Sequence, residues 1–146
     1  MTFDTEPLSC PKKYLPKLAN FLTDEGFDKK KLDLLYRRTI NPKENHGDVH
    51  EIFGRNSLLV LLCTRMGQII GGFTSAALKK GSMEYMADEN AFLFSLTRNT
   101  KLPVRKSSVY EAVFQSSDYL ICFSNDLMVS LDCLRTASEC EWPQAY

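Results

Sequence analysis

The chain has 146 residues, balances 18 basic against 18 acidic side chains, and is 44% hydrophobic and 25% charged. That length fits one domain, since domains commonly run about 100 to 150 residues, and the zero balance gives no overall field to attract nucleic acid or an anionic membrane surface. The longest apolar run, Leu58-Leu59-Val60-Leu61-Leu62-Cys63, falls far short of the about 20 residues that span a bilayer. The acidic start Met1-Thr2-Phe3-Asp4-Thr5-Glu6 lacks the basic and then apolar make-up of a secretory signal, so a cytoplasmic chain without an integral membrane segment is expected.

No repeat, low-complexity tract or Pro/Gly/Ser-rich linker divides the chain, which reads as an N-terminal extension over residues 1–14 and a single domain over residues 15–146. Pro16 suits the first residue of a helix running to about Glu25, with Leu15, Leu18, Phe21 and Leu22 on one face and Gly26 as its stop. Residues 29–38 are ambiguous: Leu32, Leu35 and Tyr36 can share a helical stripe, while Leu34-Leu35-Tyr36 could equally begin a strand. Asn41-Pro42, Asn45 and Gly47 mark a loop, followed by a short helix over residues 49–53.

Residues 58–63 and 68–74 are two apolar runs of strand length joined by Thr64-Arg65-Met66-Gly67, and so predict a hairpin. Gly71-Gly72 weakens the second strand, which calls for either a bulge or the close approach of another backbone. Ala91-Phe92-Leu93-Phe94-Ser95-Leu96 reads as a buried strand and Leu102-Pro103-Val104 as a short edge piece, where proline's missing donor is tolerated. Ser108-Val109-Tyr110-Glu111 has capping-box spacing and predicts a short helix through Phe114. Residues 119–123 and 127–131 flank Ser124-Asn125-Asp126 as a second hairpin, and the tail from Asp132 shows no clean period. Consecutive hairpins with helices at the front and in loops describe an antiparallel α+β domain and disfavour dinucleotide folds.

Catalytic signatures are wanting. His46-Gly47-Asp48-Val49-His50 has the i, i+4 spacing of helical zinc sites, yet Gly47 stands where a metalloprotease needs a water-activating Glu, so no metal is expected. No Gly-x-Ser-x-Gly elbow and no phosphate-cradling Gly-rich segment occurs, and no cofactor is expected. The five cysteines, Cys10, Cys63, Cys122, Cys133 and Cys140, are odd in number and contain no Cys-x-x-Cys pair, which argues for reduced thiols. Cys63 and Cys122 sit in apolar runs, whereas Cys133 and Cys140 lie in a more polar stretch and are the candidates for a reactive thiol. The basic run Lys29-Lys30-Lys31 with Arg37-Arg38 is interleaved with acids and reads as a solvated face, without nucleic acid as a partner.

Taken in order, Leu34-Leu35-Tyr36-Arg37, His50-Glu51, residues 58–63, the stretch Gly67-Gln68-Ile69-Ile70-Gly71-Gly72-Phe73-Thr74-Ser75, and the stretch from Asp88 to Leu96 resemble a TLDc domain. Tyr119-Leu120-Ile121-Cys122-Phe123 with Asn125-Asp126-Leu127, and the polar tail, are similar to later family segments. Phe53, Ala77-Leu78 and Ser124 stand where the family often has Cys, Trp and Gly. The chain also ends where its members usually continue into one more strand, so either an uncovered sheet edge or a divergent or truncated domain is expected.

The resemblance implies a two-sheet antiparallel β-sandwich with flanking helices. It also implies a non-catalytic, monomeric interaction domain of eukaryotic proteins, linked to oxidative-stress resistance and to binding of vacuolar proton-pumping ATPase subunits. No catalytic set carries over. His50, Glu51, Asp88 and Asp126 match polar motif positions and are the expected interaction surface; Gly71 and Gly72 are expected to serve backbone geometry, and Phe73, Phe92 and Phe94 the core, with the two hairpins closing on each other to bury the Phe92-Phe94 segment between them. Two other readings stay open: a small thiol-dependent redox or hydrolytic enzyme using Cys133 or Cys140, and a structural scaffold domain.

Overall fold

The computed structural model describes residues 12–23, 32–38, 42–130 and the backbone of 139–140. Nine strands among these form two sheets whose pairings are all antiparallel. The first holds β1 (Leu58–Cys63), β2 (Ile69–Thr74), β4 (Phe92–Ser95) and β5 (Thr100–Pro103) in the order β1-β2-β4-β5. The second holds β3 (Tyr85–Met86), β6 (Val113–Phe114), β7 (Tyr119–Phe123), β8 (Leu127–Ser130) and β9 (Glu139–Cys140) in the order β3-β6-β7-β8-β9. Helix α1 (Leu15–Thr23) follows directly from a 3-10 turn at Lys12–Tyr14.

Strand alternation explains why the first sheet is written in nearly unbroken apolar runs. Successive side chains of a strand point to opposite faces, and here both faces are covered. Leu58, Val60 and Leu62 of β1, Ile70 of β2 and Leu93 of β4 pack into a core shared with Ile121, Phe123, Leu127 and Val129 of the second sheet. Leu59, Leu61, Ile69, Phe73, Phe92, Phe94 and Leu96 turn the other way, beneath Leu15, Leu18, Phe21 and Leu22 of α1. The molecule is therefore three layers, helix on sheet on sheet, with the aromatic stack of Phe73 and Phe92 (ring centroids 5.2 Å apart) in the outer interface. Each such buried aromatic or leucine contributes about 1.5 to 3 kcal/mol from the apolar area it removes from water.

Two lysines reinforce the helix seat. Lys101 donates from Nζ to the Phe21 carbonyl (2.9 Å) in the last turn of α1 and lies 4.4 Å from the centre of the Phe92 ring. A cation there satisfies a free carbonyl and complements the negative end of the helix dipole. Lys17 reaches the Leu96 carbonyl at 3.5 Å. Tyr14, in the expected extension, packs against the same cluster.

Both hairpins form as the patterns require, with β1–β2 in unbroken register and β7–β8 shifted between Tyr119 and Ile121. Of the two explanations for Gly71-Gly72, close approach is the operative one, because neither β1–β2 nor β2–β4 is bulged there. A Cβ on Gly71 would run into the Val60 carbonyl and the Phe94 ring, and one on Gly72 would sit 2.5 Å from the Phe123 ring of the facing sheet. Gly72 is thus where the two sheets come together.

Three expectations are corrected. Phe92 and Phe94 do not lie between the hairpins; Leu93 does, while its two neighbours face α1. Ser108 caps no helix: the 3-10 segment Lys106–Glu111 begins after Arg105, and Val113–Phe114 is strand β6, paired with β3 and β7. The tail, read as aperiodic, supplies β9 at Leu127 and Met128 of β8. Residues 32–38 are not helical and form no strand beyond a single bridge, Arg37 to His46. The Gly26 stop and the Lys29-Lys30-Lys31 run lie outside the described residues.

Candidate functional site

The densest polar cluster is built around Asp88, in the segment between β3 and β4. Period-2 alternation points Thr74, at the end of β2, to the same side as Ile70 and Gly72, and the chain then turns through Ser75 and Ala76 around the carboxylate. Asp88 Oδ2 accepts from Thr74 Oγ1 (2.6 Å), Ser75 N (2.6 Å) and Ala76 N (3.3 Å). Its Oδ1 accepts from Ser75 Oγ (2.6 Å) and Asn90 N (3.0 Å). Thr74 is fully buried and Asp88 only 5% exposed, so charge-assisted bonds of this kind are stronger than neutral ones and costly to lose. The arrangement binds the end of β2 to the start of β4. With five donors already gathered on its two oxygens, this carboxylate works as a staple.

Asp126 lies in the turn between β7 and β8, 1% exposed, with its N–H donating to the Phe123 carbonyl at 3.1 Å. The same turn holds Ser124 at φ 50°, in the left-handed region that favours glycine.

His50 and Glu51 stand elsewhere, on an exposed 3-10 turn, Val49–Ile52. Asp48 starts it: its side chain accepts from His50 N (2.8 Å), and Glu51 Oε1 accepts from Asp48 N (3.2 Å). This is a capping box, Asp-x-x-Glu, legible in the sequence but passed over for the Ser108 spacing. Gly47 precedes it at φ 67°, where any Cβ would collide with the Leu35 carbonyl. Ile52 and Phe53 anchor the turn in the inter-sheet core, leaving His50 and Glu51 exposed. Of the four expected surface positions, two are therefore solvent-facing and adjacent, while Asp88 and Asp126 are enclosed.

One polar residue escaped the sequence reading. Gln115, 3% exposed just after β6, accepts from Lys79 N (2.6 Å) and Ser82 Oγ (3.2 Å), and its own N–H donates to the Glu84 carbonyl (3.2 Å). It pins residues 79–84 to the second sheet, and its only sequence trace is a lone amide beside Val113-Phe114.

Among the described residues, no three His, Cys, Asp or Glu side chains gather in a way that could hold a metal ion, and no helix is long and apolar enough to cross a membrane. Cys122 is buried, and desolvation pushes its thiol up to about 11; desolvation also raises that of Cys63. Neither is an activated nucleophile, since the thiolate is the reactive form. Cys10, Cys133 and the Cys140 side chain lie outside the described residues.

The Asp88 staple, the paired glycines and the two hairpins are the parts of the fold that carry the sequence resemblance, and a model of the TLDc domain matches residues 10–130. The chain belongs to the TLDc family. No curated protein and no solved structure gives a match. In this TLDc domain the matched span takes in α1 and eight of the nine strands, β1 through β8. The stretches Gly71-Gly72-Phe73-Thr74-Ser75 and Ala91 to Leu96 thereby acquire a physical meaning: they contain two neighbouring strands, β2 and β4, held together at one end by Asp88.

Proposed function

We propose that this TLDc domain acts by binding a protein partner and not by catalysis, that the partner is the vacuolar proton-pumping ATPase, and that the binding serves resistance to oxidative stress in the cytoplasm. Family membership over residues 10–130 is the observation that carries this reading. The disposition of polar groups supports it: Asp88 is spent on internal hydrogen bonds, and both described thiols are shifted toward their unreactive form. The exposed His50 and Glu51, fixed by the capping box, form the contact surface, while Asp88 and Asp126 preserve the strands behind it.

The test is retention of pump subunits from solubilised vacuolar membranes by the immobilised domain, compared with a His50→Ala/Glu51→Gln variant. Gln keeps the capping acceptor and removes the charge, so folding is retained. Wild-type domain retains the subunits and the variant loses them several-fold. Retention of no pump subunit by the wild type overturns the partner assignment, and equal retention by the variant overturns the surface.

A further inference from the structure

We infer that the outer edge of β1 is an interaction surface that pairs with β1 of a second copy of this chain, joining two four-stranded sheets into one. A sheet edge offers unpaired N–H and C=O groups to any other strand, and proteins normally blunt it with short strands, prolines, charges or bulges. Among the described residues this molecule has four edges, and three are blunted. β3 and β9 are two residues long. In β5, the bond from Val104 N to the Ala91 carbonyl (3.0 Å) sets the phase of the ladder, so that Leu102 and Thr100 turn toward β4. Lys101 and Pro103 then turn outward, where Pro103 has no N–H to offer.

The edge at β1 has none of these devices. Its six residues, Leu58-Leu59-Val60-Leu61-Leu62-Cys63, include no charge, proline or glycine, and its register with β2 is regular throughout. The bond from Thr64 N to the Gln68 carbonyl (2.9 Å) makes that pair, and hence Leu62/Ile70, Val60/Gly72 and Leu58/Thr74, the hydrogen-bonded ones. The amides and carbonyls of Leu59, Leu61 and Cys63 accordingly point away from β2, and no described strand meets them. Both faces of β1 are covered, Val60 and Leu62 by the second sheet and Leu59 and Leu61 by the helix layer, yet all four remain only partly buried.

The occupant follows from self-complementarity. A two-fold axis through Leu61 sets Leu61 against its own copy and Leu59 against Cys63 of the second copy. Each facing pair exchanges two N–H···O bonds, and a charge-free strand meets no like-charge repulsion from itself. Antiparallel pairing also keeps helix-side residues on the helix side, so each core continues across the junction. A single strand pair is a small contact, below the about 1,200 Å² that separates standard interfaces from weak ones. The dimer is therefore weak and concentration-dependent, in contrast to the monomer expected from sequence.

Sedimentation equilibrium under reducing conditions, from micromolar to millimolar chain, tests this together with amide hydrogen exchange. Wild-type mass rises up to twofold with concentration, and the amides of Leu59, Leu61 and Cys63 slow in parallel. Cys63→Lys places a charge at an exposed outward position, and Leu61→Pro deletes an outward amide that takes no part in the β1–β2 ladder; each abolishes the rise. A wild-type mass that stays monomeric throughout overturns the proposal. So does a dimer in which those three amides exchange unchanged, as pairing through the exposed Met83, Tyr85 and Tyr110 would give. The exchange measurement uses only wild-type chain and decides the matter even where a variant fails to fold.

Discussion

Removing the Asp88 carboxylate is the sharpest perturbation the fold offers. Asp88→Ala strands four donors at once, the fully buried Thr74 hydroxyl, the Ser75 hydroxyl and the backbone amides of Ser75 and Asn90, while the Ala76 amide keeps Thr74 Oγ1 as its acceptor (3.1 Å). Single hydrogen bonds to a charged group are worth about 1.5 to 3 kcal/mol, and contributions within one network do not add. Ser75 is partly exposed and its hydroxyl can turn to water, so the expected loss is about 3 to 5 kcal/mol, set by the donors that stay dry. That is a large share of the about 5 to 15 kcal/mol a domain commonly has, and at about 2 to 4 °C per kcal/mol it lowers Tm by about 6 to 20 °C.

Asp88→Asn refines the test. The amide oxygen can take the place of Oδ2, which has three donors, leaving its NH2 against Ser75 Oγ and Asn90 N. The Ser75 hydroxyl can reverse and accept, whereas the Asn90 amide cannot, so this variant costs less, about 1 to 3 kcal/mol. Urea denaturation with a shared m-value measures both. An alanine variant within about 1 kcal/mol of wild type, or an asparagine variant worse than the alanine, would refute the staple.

Three further outcomes are expected. Gly72→Ala pushes a methyl into the Phe123 ring and costs about 1 to 3 kcal/mol, with Gly71→Ala costing more because the Val60 backbone carbonyl cannot rotate away; urea midpoints rank the two. Ser124→Gly relieves a left-handed backbone worth about 1 to 2 kcal/mol and adds about 0.4 to 1 kcal/mol of unfolded-state entropy, so thermal unfolding shows it unchanged or slightly stabilised. Cys122, with its folded pKa raised to about 11, contributes stability that is complete below the ordinary thiol value and lost as pH rises toward 11; alkaline titration followed by denaturation shows the decline, and Cys122→Ala removes its share of it.

Hairpins were the most legible part of the molecule, for a physical reason. Leu58 to Cys63 and Tyr119 to Phe123 are long enough to identify as strands, and the Gly67 and Asn125 regions mark their turns. What alternation does not reveal, when both faces are apolar, is which core receives which residue; hence Phe92 and Phe94 were assigned to the inter-sheet core they turn away from. Two-residue strands such as β6 and β9 carry no period at all and exist only because β7 and β8 offer them a ladder. Capping signals were read correctly in form and wrongly in place: Ser108 and Asp48 each stand three residues before a Glu, and only tertiary packing of Ile52 decides that the second one caps. Spacing treats His50, Glu51, Asp88 and Asp126 alike, because burial, which separates Asp88 from His50, is invisible to it.

The seat of α1 has a consequence for how the chain matures. The helix is nine residues long, too short to persist alone in water, and the lysine that caps it lies 80 positions further along. Helix α1 thus leaves the ribosome well before the residues that seat it, and settles late. Until Lys101 emerges, the nascent chain carries a bare amphipathic segment alongside the half-assembled aromatic face it will eventually seal, and that interval is when a chaperone would find the most to hold.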